Sequence, residues 1–398
     1  MGVSRCQAKP FRRWTATLLP LLGAAAALAI APAIALSSSS GGSAPGSQPR
    51  TAFNGTGMWI WYVSKSDRGD VGSIINRARA HGVRTVFVKS SDGTSFWSQF
   101  STSFVSQLHA GGLNVCAWQY VYGKSPSTEA DLGARAKSKG ADCLVIDAES
   151  SYEGKYSPAR TYVKRLRSNV GGSYPVGLAG FPFVDYHPAF PYSVFLGPGG
   201  AQFNVPQVYW KEIGGGVDAV MAHTYRFNRP YARKIFPLGQ LYDHPSRADI
   251  IRFRQIASAQ GASGLSWWDW QEATSSGWKA IGDPVGPYKG SRPPSDYAVL
   301  GRGGKGDLIL WAQEHLRAAG EHPPADGRYG SSTEQAVRSF QRAHGLKVNG
   351  KVDTPTWKAL LAYKLPSATK ARAASNQSTP PTAKLPARRV EIPPPTRR

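Results

Sequence analysis

Two carboxylates stand at the end of one apolar stretch in the middle of the chain. The segment Leu144–Ser150 has the sequence LVIDAES and places Asp147 and Glu149 directly after a strand-like run. Alternate side chains of a β-strand share a face, so Asp147 and Glu149 are predicted to point the same way, together with Val145 and Cys143. Carboxyl groups are costly to bury unless they are paired or used. The pair therefore fits acid–base chemistry, with a salt-bridged or helix-capping pair as the structural alternative.

Amide, acidic and aromatic residues gather at the ends of other predicted strands. Glycoside hydrolysis uses such a set, because carboxyl groups act on the scissile bond while flat aromatic rings bind the sugar faces. The residues drawn from these strand ends are predicted to bind substrate: Gln119, Tyr209, Trp210, Trp268 and Asp269.

The elements that would position these residues alternate between strand and helix patterns. Eight strand–helix units run from Gly57 to about Ile281, which is the organisation of a (β/α)₈ barrel. A doubly wound open sheet is the alternative. Polar residues at the C-terminal ends of most strands favour the barrel, and no Gly-rich phosphate loop follows the first strand. The predicted fold class is α/β, with a TIM-like barrel over 55–284, a linker over 285–297 and a small three-helix domain over 298–363.

The stretch DCLVIDAES (142–150) resembles the fourth-strand signature of family 25 glycoside hydrolases, barrel lysozymes that cut peptidoglycan. The resemblance implies that Asp147 and Glu149 are the catalytic carboxylates. Asp269 lies where that family places another acid. The first predicted strand, GMWIWYV (57–63), lacks the acid that family 25 carries there.

The same stretch is similar to the family 18 chitinase motif D-x-x-D-x-D-x-E. Asp142, Asp147 and Glu149 match the motif, whereas Val145 replaces its remaining Asp. Tyr209 lies where a tyrosine of that family holds the N-acetyl group, and GLSWWDW resembles the family's eighth strand. This resemblance implies that Glu149 is the acid and that Asp147 orients the acetamide, so that no second nucleophile is required.

The small C-terminal unit carries a more specific pattern. Its motif order, DGRYG…T…AV..FQ…GL…G.V…TW..L, resembles the peptidoglycan-binding domain 1 family over its full length. The resemblance implies a binder of wall glycopeptide, with Arg328, Tyr329 and Gln341 as candidate surface contacts. A generic three-helix module that binds DNA is the alternative. No helix lined with Arg, Asn and Gln is evident, so no nucleic-acid partner is expected.

Both ends of the chain have the composition of segments outside a folded core. A positive region and an apolar run with a small-x-small site at Ala33–Ala35 predict a signal peptide over 1–35, with an uncleaved membrane anchor as the alternative. A flexible Ser/Gly/Pro spacer is predicted over 36–54, and a disordered basic, Pro-rich tail over 364–398. The net charge of +23 favours acidic polymers, and the tail is the candidate contact for acidic wall polymers.

Other reactive residue types give weaker signals. Cys116 and Cys143 lie in adjacent predicted strands, and the sequence leaves open whether they form a disulfide or remain buried thiols. Histidines lack metal-ligand spacing, so neither a metal nor a cofactor is predicted. Lys89, near the end of the second strand, is expected to pair with Asp147 across the mouth.

These inferences predict an exported, wall-associated protein that binds peptidoglycan. The barrel is predicted to hydrolyse glycosidic bonds of N-acetyl sugar polymers, as a lysozyme-like or chitinase-like enzyme. The alternative is a non-catalytic scaffold, in which a degenerate glycosidase barrel is joined to the peptidoglycan-binding domain.

Overall fold

The computed structural model describes residues 51–290 and 293–366. The predicted signal peptide, most of the predicted spacer and most of the predicted basic tail lie outside the described residues. Within the described ranges, none of the helices is both long and apolar enough to cross a membrane.

Eight parallel strands form a closed barrel. β1 pairs with β2 on one side and with β8 on the other, so the sheet has no free edge among these strands. Closure confirms the predicted (β/α)₈ class and excludes the doubly wound alternative. The strands are β1 (Gly55–Ile60), β2 (Val83–Asp92), β3 (Asn114–Val121), β4 (Cys143–Ala148), β5 (Val176–Gly180), β6 (Phe203–Val208), β7 (Leu238–Gln240) and β8 (Gly264–Trp268).

Helices follow the strands and cover the outside of the barrel. They are α1 (Val71–Ala80), α2 (Thr102–Ala110), α3 (Pro126–Ser138), α4 (Tyr156–Val170), α5 (Tyr192–Phe195), α6 (Trp210–Ile213), α7 (Val217–Asn228), α8 (Arg247–Ala259) and α9 (Ser275–Gly282). Short polar side chains accept hydrogen bonds from first-turn N–H groups and fix where four of these helices begin. The capping residues are Asp70, Ser101, Ser246 and Thr274.

Aromatic side chains fill the barrel interior. Phe53 stacks on Phe203 with ring centroids 4.1 Å apart, and Trp59 and Trp118 lie 5.5 Å apart. Cys116 of β3 lies opposite Cys143 of β4 in the sheet register, and the structure joins them in a disulfide inside the barrel. Of the two alternatives that the sequence leaves open, the structure has the disulfide.

The C-terminal domain consists of α10 (Asp307–Ala318), α11 (Ser331–Ala343) and α12 (Thr354–Leu360). It contains an internal repeat in which a buried helical glutamine binds the following turn. The Gln313 side chain accepts from the N–H groups of Asp326 and Gly327 and donates to Thr333. The Gln341 side chain makes the same set of bonds to the turn Asn349–Gly350 and to Thr356.

This domain packs directly on the barrel through buried polar contacts. The Asp307 carboxylate accepts from the Ser193 N–H (2.8 Å), the Ser193 hydroxyl (2.6 Å) and the Tyr231 hydroxyl (2.8 Å). The Trp311 indole N–H donates to the Pro230 carbonyl oxygen at 2.7 Å. Because Asp307 is fully buried, these bonds hold one face of α10 against the barrel.

Candidate active site

The two carboxylates lie together at the C-terminal mouth of the barrel. Asp147 is the penultimate residue of β4, and Glu149 follows that strand with extended backbone (φ −130°, ψ −150°). The Gln207 side-chain amide donates to Asp147 Oδ1 at 3.0 Å and to Glu149 Oε1 at 3.2 Å. A single amide from β6 therefore holds both carboxyl groups on the same side of β4.

The surroundings of both carboxyl groups raise their pKa values. Burial, and then the neighbouring Glu149 charge, raise the pKa of Asp147 well above its usual range, against the opposing effect of Lys89. Burial also raises the pKa of Glu149, although its hydrogen bonds from Gln207 and Tyr120 act in the opposite direction. A raised pKa keeps a carboxyl protonated at higher pH, which suits a proton donor.

Two tyrosines border the carboxylates. The Tyr120 hydroxyl, from the end of β3, donates to Glu149 Oε2 at 3.4 Å. Tyr209 directly follows β6 and is buried, and both carboxylates help to raise the pKa of its hydroxyl, after burial as the main cause. Phenolic hydroxyls at these positions can donate hydrogen bonds to a bound ligand or to a carboxylate.

Lys89 pairs with a different acid from the one that the sequence predicts. Its ammonium lies 2.7 Å from Asp92 Oδ2 and also over the rings of Trp97 (4.5 Å), Trp118 (4.8 Å) and Trp61 (5.3 Å). The predicted Lys89–Asp147 ion pair is wrong, because the ammonium pairs instead with Asp92, three residues further along the same strand. Lys89 is only 3% exposed, so the three rings and Asp92 stabilise a nearly buried cation.

Two further predicted residues lie at the same mouth. The partly exposed Trp268 packs its ring against Trp118 at 5.3 Å and Trp59 at 5.7 Å. Asp269 is fully buried, and one carboxylate oxygen accepts from the Glu272 N–H at 3.2 Å. Its other oxygen has no hydrogen-bond partner within the described ranges, and burial raises its pKa well above the usual range.

Gln119 and Trp210 lie outside the mouth, contrary to the prediction. Gln119 alternates with the inward-facing Trp118, so its side chain points to the helices and donates to the Glu129 carbonyl oxygen at 3.0 Å. Trp210 is 2% exposed and packs on Phe253 of α8, with ring centroids 5.5 Å apart. Both predictions placed a residue by its closeness to a strand end without applying the two-residue alternation.

In the C-terminal domain, two of the three predicted ligand contacts are core residues. Tyr329 is 2% exposed, and its hydroxyl donates to the Gly350 carbonyl oxygen at 2.8 Å. Gln341 is fully buried by the turn that it binds. Arg328 is exposed and stays a prediction for a surface contact.

The sequence did not single out all residues of the mouth. Gln207 is one of the polar residues that the sequence places at a strand end, and the structure shows it to be the central amide of the mouth. Trp61 and Trp97 lie near Lys89 on partly exposed loops, and Tyr62 packs against both of these rings. Their aromatic character alone does not separate a cleft residue from a core residue.

Residues 305–360 match the peptidoglycan binding domain family PG_binding_1. The match confirms the predicted family of the C-terminal domain. A peptidoglycan-binding protein from Clostridioides difficile is 35% identical over 16% of this chain and 40% of that chain, less than half its length, with a TM-score of 0.16. No curated protein matches the chain in sequence.

Solved structures similar to the larger part of the chain include barrel enzymes. A chitinase from Chromobacterium violaceum ATCC 12472 is 10% identical over 57% of this chain and 98% of that chain, with a TM-score of 0.44. The Bacillus cereus spore cortex-lytic enzyme SleL is 11% identical over 57% of this chain and 73% of that chain, with a TM-score of 0.43. These identities do not carry an activity over to this chain.

Proposed function

We propose that the protein is exported, binds peptidoglycan through its C-terminal domain and hydrolyses glycosidic bonds of N-acetyl sugar polymers in its barrel. The observation that carries the proposal is the shared Gln207 amide, which holds Asp147 and Glu149 together at the mouth. The family match over 305–360 supports peptidoglycan as the polymer.

Glu149 is the proposed proton donor. Its raised pKa keeps a proton available for the oxygen of the scissile bond. As the bond between the sugar C1 and that oxygen breaks, the proton moves from Glu149 to the leaving oxygen. Water then adds to C1 and returns a proton to Glu149, which restores the starting state.

Asp147 is the proposed partner that stabilises the positive charge developing at C1, either directly or by orienting the substrate's acetamide. The Gln207 amide nitrogen lies 3.0 Å from one oxygen of Asp147 and 3.2 Å from one oxygen of Glu149, so Asp147 lies beside the proposed proton donor. Tyr209 is the proposed contact to the sugar bound at this position.

The proposal is tested by the release of new reducing ends from purified, peptide-stripped wall glycan. Wild-type protein should release them, and Glu149→Gln should lower the rate at least about a hundredfold because the general acid is lost. Asp131→Asn is the matched control, since Asp131 lies on the outer helix α3 and pairs with Arg165 at the surface. Equal rates for Glu149→Gln and wild type would exclude Glu149 as the acid.

The second candidate function is a wall-binding scaffold without catalysis. The near-complete burial of Asp147, which is 6% exposed, favours it, because a structural carboxyl pair needs no access for substrate. Wild-type protein that binds wall glycan and releases no reducing ends would select this alternative.

Export and wall association are proposed from the predicted signal peptide over 1–35 and from the family match. Acidic wall polymers are a further proposed partner, through the basic tail over 364–398. Fractionation of the producing cells tests export, because the protein should appear in the wall fraction or the medium and not in the cytoplasm.

A further inference from the structure

We propose that Trp61, Tyr62, Trp97 and Trp268 form an aromatic platform on which sugar rings remote from the scissile bond stack, so that the barrel prefers long glycan chains to short ones. This inference rests on the proposed function, because it takes the same polymer as the ligand. It adds a chain-length specificity and a second set of binding residues.

The four rings are in continuous contact at the mouth. Trp61 stacks on Tyr62 with centroids 5.1 Å apart, Tyr62 lies 5.3 Å from Trp97, and Trp61 lies 5.9 Å from Trp268. All four side chains are partly exposed, whereas Trp59 beneath them is 1% exposed. A set of adjoining, partly exposed aromatic rings at one mouth is more than core packing requires.

Hydrogen bonds from neighbouring side chains hold the backbone of the platform residues in place in the ligand-free protein. The Gln99 side chain donates to the carbonyl oxygens of Trp61 (2.7 Å) and Lys89 (3.0 Å), which ties the ends of β1 and β2 together. Lys89 lies over the Trp61 and Trp97 rings, and the Gln271 side chain accepts from the Tyr62 N–H at 3.0 Å. Rigid rings lose little conformational entropy on binding, so this support favours affinity.

The platform borders the carboxylates rather than lying on a separate face. Lys89 lies over two of its rings and pairs with Asp92, which accepts from the Tyr122 hydroxyl at 2.9 Å. The Tyr122 ring packs on Tyr120 at 4.9 Å, and the Tyr120 hydroxyl donates to Glu149. Trp268, at the other end, packs on Trp118 inside the barrel. A chain that occupies the Glu149 site would therefore continue over these rings, and sugar rings have apolar faces that pack on aromatic side chains.

The test measures binding to N-acetylglucosamine oligomers in the full-length Glu149→Gln protein, by isothermal titration calorimetry without turnover. A hexasaccharide should bind more tightly than a disaccharide. Adding Trp97→Ala should weaken hexasaccharide binding by roughly tenfold, the loss of about 1.4 kcal/mol of stacking, and leave the disaccharide unchanged. Adding Tyr288→Ala is the matched control, because Tyr288 packs on Arg252 over the outer helices.

Trp97→Phe provides a second variant, since it keeps a ring over Lys89 and should restore most of the hexasaccharide affinity. Equal affinity for both oligomers, or an unchanged hexasaccharide affinity in Trp97→Ala, would overturn the platform. The outcome is separate from that of the proposed hydrolysis. A protein that releases no reducing ends and still loses hexasaccharide affinity with Trp97→Ala keeps the platform and loses the catalytic proposal.

Discussion

Replacing Gln341 with alanine separates a structural role from a ligand contact. Its side-chain nitrogen lies within hydrogen-bond distance of Asn349 Oδ1 (2.9 Å), the Lys351 carbonyl oxygen (2.9 Å) and Thr356 Oγ1 (3.1 Å), and its oxygen accepts from the N–H groups of Asn349 (3.1 Å) and Gly350 (3.0 Å). The nitrogen has two hydrogens, so at most four of these bonds form at once. At a net value of roughly 0.5–1.5 kcal/mol each, the loss is about 2–6 kcal/mol. That is a large fraction of the stability of a domain of this size.

Hydrogen exchange read by mass spectrometry measures this loss where it occurs. Gln341→Ala should lower the protection of peptides from α11 and the following turn by a free energy of about 2 kcal/mol or more. Gln335→Ala is the matched control, because Gln335 is exposed on the same helix and should change stability by less than about 0.5 kcal/mol. Retained protection together with lost sacculus binding would refute the structural role and restore Gln341 as a ligand contact.

Two further predictions concern buried groups. Burial raises the pKa of Asp307 to about 6 in the folded protein, above its value of about 3.9 in the unfolded chain. Because ionisation of Asp307 then costs more in the folded state, the free energy of unfolding should fall by up to about 3 kcal/mol as pH rises between about 4 and 6. Asp307→Asn should flatten that slope in urea unfolding at a series of pH values, and an unchanged slope would contradict the assignment. Cys116→Ala with Cys143→Ala should lower the free energy of unfolding by about 2–4 kcal/mol, and a reducing agent should then cause no further loss in the double variant.

The periodic strand and helix patterns of the sequence predicted most of the fold. Alternating strand and helix patterns predict a parallel α/β sheet, and the polar residues at the strand ends favoured the closed barrel over the open sheet. The seventh strand is the exception. The apolar stretch KIFPLGQLYD (234–243) predicts one strand. The structure has two short ones, Lys234–Ile235 and Leu238–Gln240, and Pro237, which lacks a backbone N–H donor, lies between them.

The candidate site was only partly predictable. Asp147 and Glu149 share one strand end, so alternation alone placed them on one face. Gln119 and Tyr120 are neighbours at a strand end, and residue type alone does not tell which of them faces the mouth. Because side chains alternate along the strand, Tyr120 contacts Glu149 and Gln119 contacts the outer helices. In the C-terminal domain, Gln341 looks like a surface amide in the sequence, because its buried turn partner lies on a separate segment.

The most direct test of the central claim is a digestion of intact sacculi that scores binding and cleavage in the same sample. Wild-type protein should sediment with the sacculi and release soluble fragments that carry a new reducing N-acetyl sugar. Glu149→Gln should sediment equally and release none. Wild-type protein that sediments and leaves the sacculi intact, or a Glu149→Gln protein that digests them as wild type does, would contradict the account.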